Sequence, residues 1–143
     1  MVAGPYVVVA QPSRMYRLGS VNAGGPLNAE NPNGKILLAA LAQRGYVLGQ
    51  NLSYDARGAM GDATKIQQHM AELKEANVVV VVAVGYPVAV AAKALRIPTV
   101  IAWGAGDPVA TGLIDGLARP GGNITGISDV ATSLTTKRLS LLK

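Results

Sequence analysis

In the pattern of hydrophobic and polar positions, the most apolar block of the chain lies at residues 77–87. Within it, seven consecutive apolar residues, six of them valine, run through 78–84 and stop at Gly85. β-branched side chains favour a pleated, buried strand, and a run without polar alternation is typical of a parallel strand covered on both faces. The pattern therefore predicts a central strand that ends in a turn at Gly85, Tyr86 and Pro87.

The rest of the chain alternates between short apolar runs and helical periodicity. Further strands are predicted at 15–21, 52–57, 98–103 and 123–128. Asn31 before Pro32, and Asp62, are expected to cap the first two helices, and a third helix is predicted at 88–96. A fourth helix is expected from the glycine-rich loop at 104–108 to about residue 118, and a last one over 133–143. The predicted inward residues are Ile36, Leu37, Ala40 and Leu41 in helix one, Ile66, Met70 and Leu73 in helix two, and Val109, Leu113, Ile114 and Leu117 in helix four.

This alternation predicts an α/β fold, a three-layer Rossmann-like or flavodoxin-like unit around a parallel sheet of about five strands. The turns that follow the strands share one edge of such a sheet, where ligands bind; we call this edge the rim. The turn at 119–123 belongs to the opposite edge and is expected to be structural. The predicted rim comprises Asn22, Ala23, Gly24, Gly25, Arg57, Gly58, Gly85, Tyr86, Pro87, residues 103–107 and Asp129.

Composition narrows the classes of function. The 143 residues are 50% hydrophobic and only 15% charged, below the roughly 25% of an average soluble domain, so part of the surface is expected to be an interface. The net charge of +5 comes from scattered basic residues with few aromatics, which argues against nucleic-acid binding. There is no cysteine. The longest apolar run is broken by Gly85 and Pro87 and is too short to span a bilayer, so no transmembrane helix is expected.

Residues 1–14 allow two interpretations. An apolar stretch with small residues turns polar at Gln11, which fits either a strand or the remnant of a secretory signal peptide. We favour the signal remnant, because a short apolar region that closes on small residues is what precedes a cleavage site.

The candidate chemistry is binding rather than catalysis. Gly104-Ala105-Gly106-Asp107 resembles the start of a dinucleotide fingerprint, but the third glycine is missing and Pro108 stands where the chain would curl round a pyrophosphate. His69 is the only histidine and is expected on a helix surface. With no cysteine and no paired carboxylates on the rim, we predict no metal site, no cofactor and no catalytic residue.

Three rim side chains each have a functional and a structural interpretation. Tyr86 and Trp103 end adjacent predicted strands and could flank a flat or apolar ligand, or could equally be core aromatics. Asp107 could face a ligand amine or hydroxyl, or could cap free amides at a helix start. The cap is favoured for Asp107, although the two roles are compatible.

Several motifs together resemble a known family. The most specific are Leu-Ala-Gln-Arg-Gly-Tyr-Val-Leu-Gly-Gln-Asn-Leu at 41–52 and Leu-Ala-Arg-Pro-Gly-Gly-Asn-Ile-Thr-Gly at 117–126. Shorter matches fall at 16–19, 82–87, 97–100, 106–109 and 137–139. In order and spacing these stretches resemble the ABC-transporter substrate-binding proteins of the tryptophan/tyrosine-binding type, from Met15 onward.

The resemblance implies a two-lobed, type I periplasmic binding fold that closes over a small molecule, such as an amino acid, and presents it to a membrane ABC permease. It implies no enzymatic activity and, for a full-length protein with a signal, a periplasmic, extracellular or lipid-anchored location. Residues 15–130 would form the first lobe, and residues 131–143 the start of the helix after the hinge. The ligand contacts expected from this lobe are Asn22, Ala23, Gly24, Gly25, Gly85, Tyr86, Pro87, Trp103, Asp107 and Asp129.

One position departs from the family pattern. Members often carry threonine or serine where Tyr86 stands, a hydroxyl suited to a ligand carboxylate at the positive end of a helix. Two other functions stay open on the sequence: a fragment that pairs with itself as a homodimer through the rim face, and a flavodoxin-like nucleotide or phosphate-binding domain. Low surface charge favours the first of these, and the lack of a phosphate loop weakens the second.

Overall fold

A computed structural model describes residues 14–129 and 131–141, so the predicted signal remnant lies almost entirely outside the described residues. Within these residues nine elements follow in order. They are β1 (Tyr16–Asn22), α1 (Pro32–Ala42), β2 (Leu52–Gly58), α2 (Ala63–Glu75), β3 (Val80–Val84), α3 (Tyr86–Leu95), β4 (Thr99–Trp103), β5 (Ile124–Gly126) and α4 (Ala131–Ser140).

The five strands form one sheet in the order β2-β1-β3-β4-β5, with every neighbouring pair parallel. The predicted α/β fold with a five-stranded parallel sheet is confirmed. Asn31 caps α1 and Asp62 caps α2 through side-chain oxygens that accept backbone N–H groups, as the sequence predicts. The central strand is shorter than its apolar run, since β3 begins at Val80, although the N–H of Val79 already donates to the Arg17 carbonyl of β1 at 2.8 Å.

One face of the sheet is packed by α2 and α3. Val21, Val81 and Ala83 point from the strands into a core with Met70 and Leu73 of α2, and all five are 0% exposed. Gly19 lets α2 approach, since a Cβ on Gly19 would lie 2.9 Å from a methyl carbon of Leu73. The predicted inward residues of α2 are therefore confirmed, and this face contains the main core.

The opposite face is covered unevenly by α1. Leu41 of α1 and Leu18 of β1 border an apolar cavity of about 260 Å³ between helix and sheet. Gly34 is buried, whereas Ile36 is 68% exposed, so the prediction that Ile36 faces inward is wrong. Beyond α1, Val100 of β4 is 39% exposed, so this face is covered less completely than the face under α2 and α3.

The predicted fourth helix is also wrong: residues 104–123 form turns and irregular structure. Asp107 starts a single turn by accepting N–H groups of Val109 and Ala110, but Gly112 then adopts a φ of +69° and ends it. Lys93 of α3 donates to the Gly112 carbonyl at 2.5 Å and holds the segment against α3. Of its predicted inward residues, Leu113 and Ile114 are buried, whereas Val109 and Leu117 are 40% and 69% exposed.

The turn at 119–123 lies at the edge opposite the rim and is structural, as predicted. Asn123 donates through its side-chain amide to the carbonyls of Ala92 at 2.9 Å and Ile97 at 2.7 Å. Its own carbonyl accepts the N–H of Thr99 at 2.8 Å. Asn123 therefore joins the end of α3 to the start of β4 and β5.

Two smaller expectations concern helices. His69 lies on α2, but its side chain is only 21% exposed and its Nδ1 is 3.9 Å from a carboxylate oxygen of Glu72, so it is more covered than predicted. Among the described helices, none combines the length and the apolar composition that crossing a bilayer requires.

Candidate functional site

The rim is built where β1, β3 and β4 end side by side. The chain leaves β1 towards α1 on one face of the sheet and leaves β3 towards α3 on the other face. Divergence of this kind between neighbouring strands opens a crevice at their carboxyl ends, which is the usual ligand site of an open parallel sheet. The structure thus brings the loops at 22–25, 85–87 and 103–107 together, as the sequence predicts.

The loop after β1 is held in shape by Asn22. The Asn22 side-chain oxygen accepts the N–H of Gly24 at 3.0 Å, and its amide nitrogen donates to the Gly25 carbonyl at 2.6 Å. The carbonyls of Ala23 and Gly24 in turn accept N–H groups from Gly61 at 2.8 Å and Met60 at 3.0 Å. The side-chain groups of Asn22 are thus engaged within the loop that they shape.

The second wall of the crevice is the start of α3. Gly85 has a φ of +96°, which favours glycine, and α3 begins at the next residue with no side-chain cap. The N–H of Ala89 donates to the Gly85 carbonyl at 3.3 Å and makes the first helical hydrogen bond of α3. The amides of Tyr86 and Val88 precede it at the positive end of the helix, and Pro87 has no N–H. This helix end can therefore bind an anionic group through two amides.

Two aromatic side chains stand on this crevice. Tyr86 is 40% exposed and Trp103 is 39% exposed, so neither is a core aromatic. A register shift between β3 and β4 places Trp103 opposite Val84, and the Trp103 carbonyl accepts the N–H of Gly85 at 3.0 Å. Both residues are thus partly exposed on the rim, where an aromatic ring can pack against a flat or apolar molecule.

The third wall is the loop at 104–107, and Asp129 holds it. The two carboxylate oxygens of Asp129 accept the N–H of Gly104 at 2.9 Å and of Gly106 at 2.8 Å. These backbone N–H groups hold the pKa of the Asp129 carboxyl below its usual value. Asp107 accepts the N–H groups of Val109 and Ala110, each at 3.0 Å, which confirms the predicted capping role.

Arg57 and Gly58 lie at the end of β2 but offer little to the crevice. Arg57 pairs with Asp55, with 2.7 Å between nitrogen and oxygen, and with Glu72 of α2. Gly58 packs against the backbone of Pro26 and leaves no room for a side chain. The described residues contain no group of three or more histidine, cysteine or acidic side chains that could hold a metal ion.

Sequence reasoning missed two residues that shape the rim. Met60 is 71% exposed with a φ of +53°, and its sulfur lies 3.9 Å from where a Cβ on Gly25 would be. Its place three residues after the second predicted strand, in a turn at the rim, is the signal that could have identified it. Tyr54 donates to the Leu27 carbonyl at 2.8 Å and contacts the Ser20 hydroxyl at 2.8 Å, which fixes the segment leading from the first rim loop to α1.

Comparisons with known proteins agree with this geometry. Residues 30–143 match the family model described as "ABC transporter substrate binding protein". The chain is 32% identical over 110 residues to a tyrosine-binding protein of Clostridioides difficile strain R20291, a match that covers 76% of this chain and 31% of that protein. The chain thus spans about a third of the length of this curated relative.

Solved structures show the same fold. A conserved domain protein from Vibrio cholerae O1 biovar El Tor superposes with a TM-score of 0.71 at 29% identity, covering 81% of this chain and 39% of that one. The ligand-free, open structure of a substrate binding protein with adhesive properties from Clostridium difficile superposes with a TM-score of 0.70 at 28% identity. This match covers 80% of this chain and 39% of that one. An ABC domain from Streptococcus pneumonia in complex with L-Trp superposes with a TM-score of 0.67 at 25% identity. This match covers 80% of this chain and 39% of that one. The chain therefore belongs to the family of ABC transporter substrate-binding proteins.

Proposed function

We propose that this chain forms one lobe, over residues 15–130, of a two-lobed protein that captures an aromatic amino acid. The observation that carries the proposal is the crevice at the carboxyl ends of β1 and β3. There, two half-exposed aromatic side chains, Tyr86 and Trp103, stand beside a helix start with no side-chain cap. A carboxylate would bind the amides of Tyr86 and Val88, and an aromatic side chain would pack on the exposed rings.

The relatives support the ligand class. One is named for tyrosine binding and one structural neighbour holds L-Trp. In our proposal Ala23, Gly24, Gly25, Gly85, Tyr86, Pro87 and Trp103 form the contact surface, while Asn22, Asp107 and Asp129 hold its loops in shape. The opposite side of the closed site would come from another lobe, and residues 131–143 would lead towards that lobe.

The proposed physiological role is delivery of the ligand to an ABC permease as part of an importer, outside the cytoplasmic membrane. The protein would then act by binding and release and not as an enzyme. A nucleotide or phosphate site is the weaker alternative, because the amides of Gly104 and Gly106, which a phosphate would need, already bind the Asp129 carboxylate.

The test uses the single tryptophan of the chain. Trp103 fluorescence is measured during titration with L-tyrosine, with L-leucine as the matched aliphatic amino acid and ADP as the phosphate probe. We expect a saturable change with L-tyrosine at millimolar concentration, weaker than a closed two-lobed site gives, and none with ADP. A saturable response to ADP with none to L-tyrosine contradicts the proposal.

Backbone NMR then locates the site. L-tyrosine and L-tryptophan should shift the amides of Gly85, Tyr86 and Val88, and Tyr86→Ala should weaken the shifts severalfold. Met60→Ala, at a more exposed rim residue outside the proposed contact surface, is the control and should change them little. If only the amides of residues that line the apolar cavity under α1 shift, the ligand binds there, and this assignment is wrong.

The exposed rim also gives specific support to a second candidate, pairing of two copies through the rim face. Tyr86 and Trp103 are half-exposed there, and only 15% of the residues in the sequence are charged. Sedimentation at two concentrations tests this. A homodimer predicts a sedimentation coefficient that rises with concentration and falls in Trp103→Ser, whereas a constant monomer value rejects it.

A further inference from the structure

The rim loops touch one another in series through their backbones. Gly104 packs against Gly85, since a Cβ on Gly104 would lie 3.2 Å from the Gly85 Cα. Gly85 in turn packs against Ala23, whose Cβ would lie 3.1 Å from a Cβ on Gly85. The N–H of Ala23 also donates to the Val84 carbonyl at 3.1 Å. Because a Cβ added at either glycine would lie within 3.2 Å of its neighbour, the loops are closely packed, and we expect a displacement of one loop to disturb the next.

Asp129 closes this series at its far end. Its carboxylate binds two amides of one loop from 25 and 23 residues away in sequence, at Gly104 and Gly106. Both glycines have positive φ, +78° and +68°, so the loop takes a conformation that other residues rarely adopt. Ser128 adds a hydrogen bond from its hydroxyl to the Gly106 carbonyl at 3.2 Å. Hydrogen bonds to an ionised carboxylate are stronger than neutral ones, so this contact is a strong local restraint.

Asp129 also lies close to the start of α4 along the chain. β5 finishes at Gly126 and α4 begins at Ala131, two residues after Asp129. The N–H of Ile127 still bonds to the Ile101 carbonyl at 3.0 Å, so the connection follows β4 up to the point where Asp129 binds the loop. The carboxylate therefore holds the rim loop from a residue that lies two positions before the start of α4.

We propose that Asp129 is a positioning residue that ties the direction of α4 to the conformation of the ligand rim. In this arrangement Asp129 holds the 104–106 loop against Gly85, and a ligand at the rim changes the orientation of α4 through that loop. The part that concerns the ligand rests on the proposed function. The proposed link between Asp129, the loop and α4 does not depend on the proposed function.

The link is tested first without ligand, by NMR on the whole chain. Asp129→Asn keeps the shape of the side chain but turns one acceptor oxygen into an N–H₂ group that faces a backbone N–H. We expect hydrogen exchange at Gly104 and Gly106 to rise about tenfold or more, the loss of one charge-assisted hydrogen bond. The amide resonances of residues 131–141 should shift as well, while the exchange of α2 stays as in the wild type.

The matched control is Asp107→Asn. Asp107 lies on the same loop and carries the same charge, but it accepts only the amides of its own turn. Its substitution should change exchange at Val109 and Ala110 and leave α4 unaffected. If Asp129→Asn leaves the α4 resonances unchanged, or raises exchange in α2 as much as in the loop, the proposal is wrong.

A pH titration gives an independent readout. In the wild type, the amide shifts of Gly104, Gly106 and α4 should follow one midpoint below the usual aspartate range, because the pKa of Asp129 is lowered. This midpoint should vanish at all three places in Asp129→Asn and remain in Asp107→Asn. Different midpoints for the loop and for α4 would show that the two are not joined through Asp129.

L-tyrosine titration separates this proposal from the proposed function. In the wild type, ligand should shift Tyr86, Val88 and α4 together, whereas in Asp129→Asn the shifts at Tyr86 and Val88 should remain and those in α4 should disappear. If no amide of the wild type responds to L-tyrosine or L-tryptophan, the proposed function fails while the exchange and pH results still decide the link. If Asp129→Asn abolishes the shifts at Tyr86 with loop exchange unchanged, Asp129 contacts the ligand directly and the positioning role is overturned.

Discussion

The two faces of the sheet use the same five strands but are covered very differently. On one face, α2 and α3 enclose Val81, Ala83 and Met70 completely. On the other, α1 covers β1 and β2 over a cavity and leaves Val100 of β4 39% exposed. Since burial of apolar surface is the main source of stability, the first face should dominate the free energy of unfolding. The second face should tolerate change, and the following predictions test this difference from the largest effect to the smallest.

Met70→Ala should have the largest effect on the free energy of unfolding. Met70 is 0% exposed in the core under α2, and truncation of a buried methionine to alanine costs about 2–5 kcal/mol because it leaves a cavity. Urea unfolding measures the loss. Met60→Ala is the matched control, because Met60 is 71% exposed, and it should cost under about 0.5 kcal/mol. Equal losses would contradict the dominance of the α2 and α3 face.

Val81→Thr and Val100→Thr compare the two faces with one chemical change. Val81 is 0% exposed, so a hydroxyl there is buried among apolar groups and should cost about 1–3 kcal/mol of unfolding free energy. Val100 is 39% exposed, so its hydroxyl can reach water and the cost should stay under about 0.5 kcal/mol. Both are read from thermal and urea unfolding. A cost at Val100 that matches Val81 would mean that the second face is covered in solution.

Tyr54→Phe tests a polar contact that joins β2 to the segment leading to α1. The Tyr54 hydroxyl donates to the Leu27 carbonyl and contacts Ser20, so its removal should cost about 0.5–1.5 kcal/mol of unfolding free energy. The matched control is Tyr46→Phe, since Tyr46 is 37% exposed and packs against Tyr16 through its ring. Tyr46→Phe should change stability by less than about 0.5 kcal/mol.

The same residue predicts a small effect of alkaline pH. Burial raises the pKa of Tyr54 above its usual value, and the Ser20 hydrogen bond only partly offsets this. The folded pKa therefore lies above the unfolded pKa of about 10, so the contribution to stability is complete below the unfolded value and is lost as pH rises through the folded value. Unfolding free energy measured at increasing alkaline pH should fall more steeply in the wild type than in Tyr54→Phe. Parallel curves would contradict this assignment.

The parts of the fold that the sequence predicts well are those in which local pattern and packing agree. The valine run gives β3, and the spacing of Ile66, Met70 and Leu73 behind the Asp62 cap gives α2. The segment 104–123 shows the limit. Asp107 provides the same kind of cap as Asp62, but Gly112 takes a left-handed conformation and ends the turn, so a correct cap does not make a helix.

The candidate site also contains features that the sequence predicts and features that it does not. Topology alone brings Gly85, Tyr86 and Trp103 to one edge, because the carboxyl ends of parallel strands must meet there. The partners of Asp129 could not be predicted, since its hydrogen bonds reach across 25 and 23 residues and depend on two glycine conformations. The exposure of Val100 likewise depends on how far α1 reaches across the sheet, which periodicity does not encode.

The order of strands also bears on how the protein is made. β1 and β2 pair first along the chain, and then β3 adds beside β1, β4 beside β3 and β5 beside β4. Each strand that emerges from the ribosome after β2 therefore joins an edge that is still open, and none must insert between strands already paired. Synthesis releases the strands in this order, from the amino terminus onward. This sheet can accordingly grow in one direction during translation, with no pairing that must be undone.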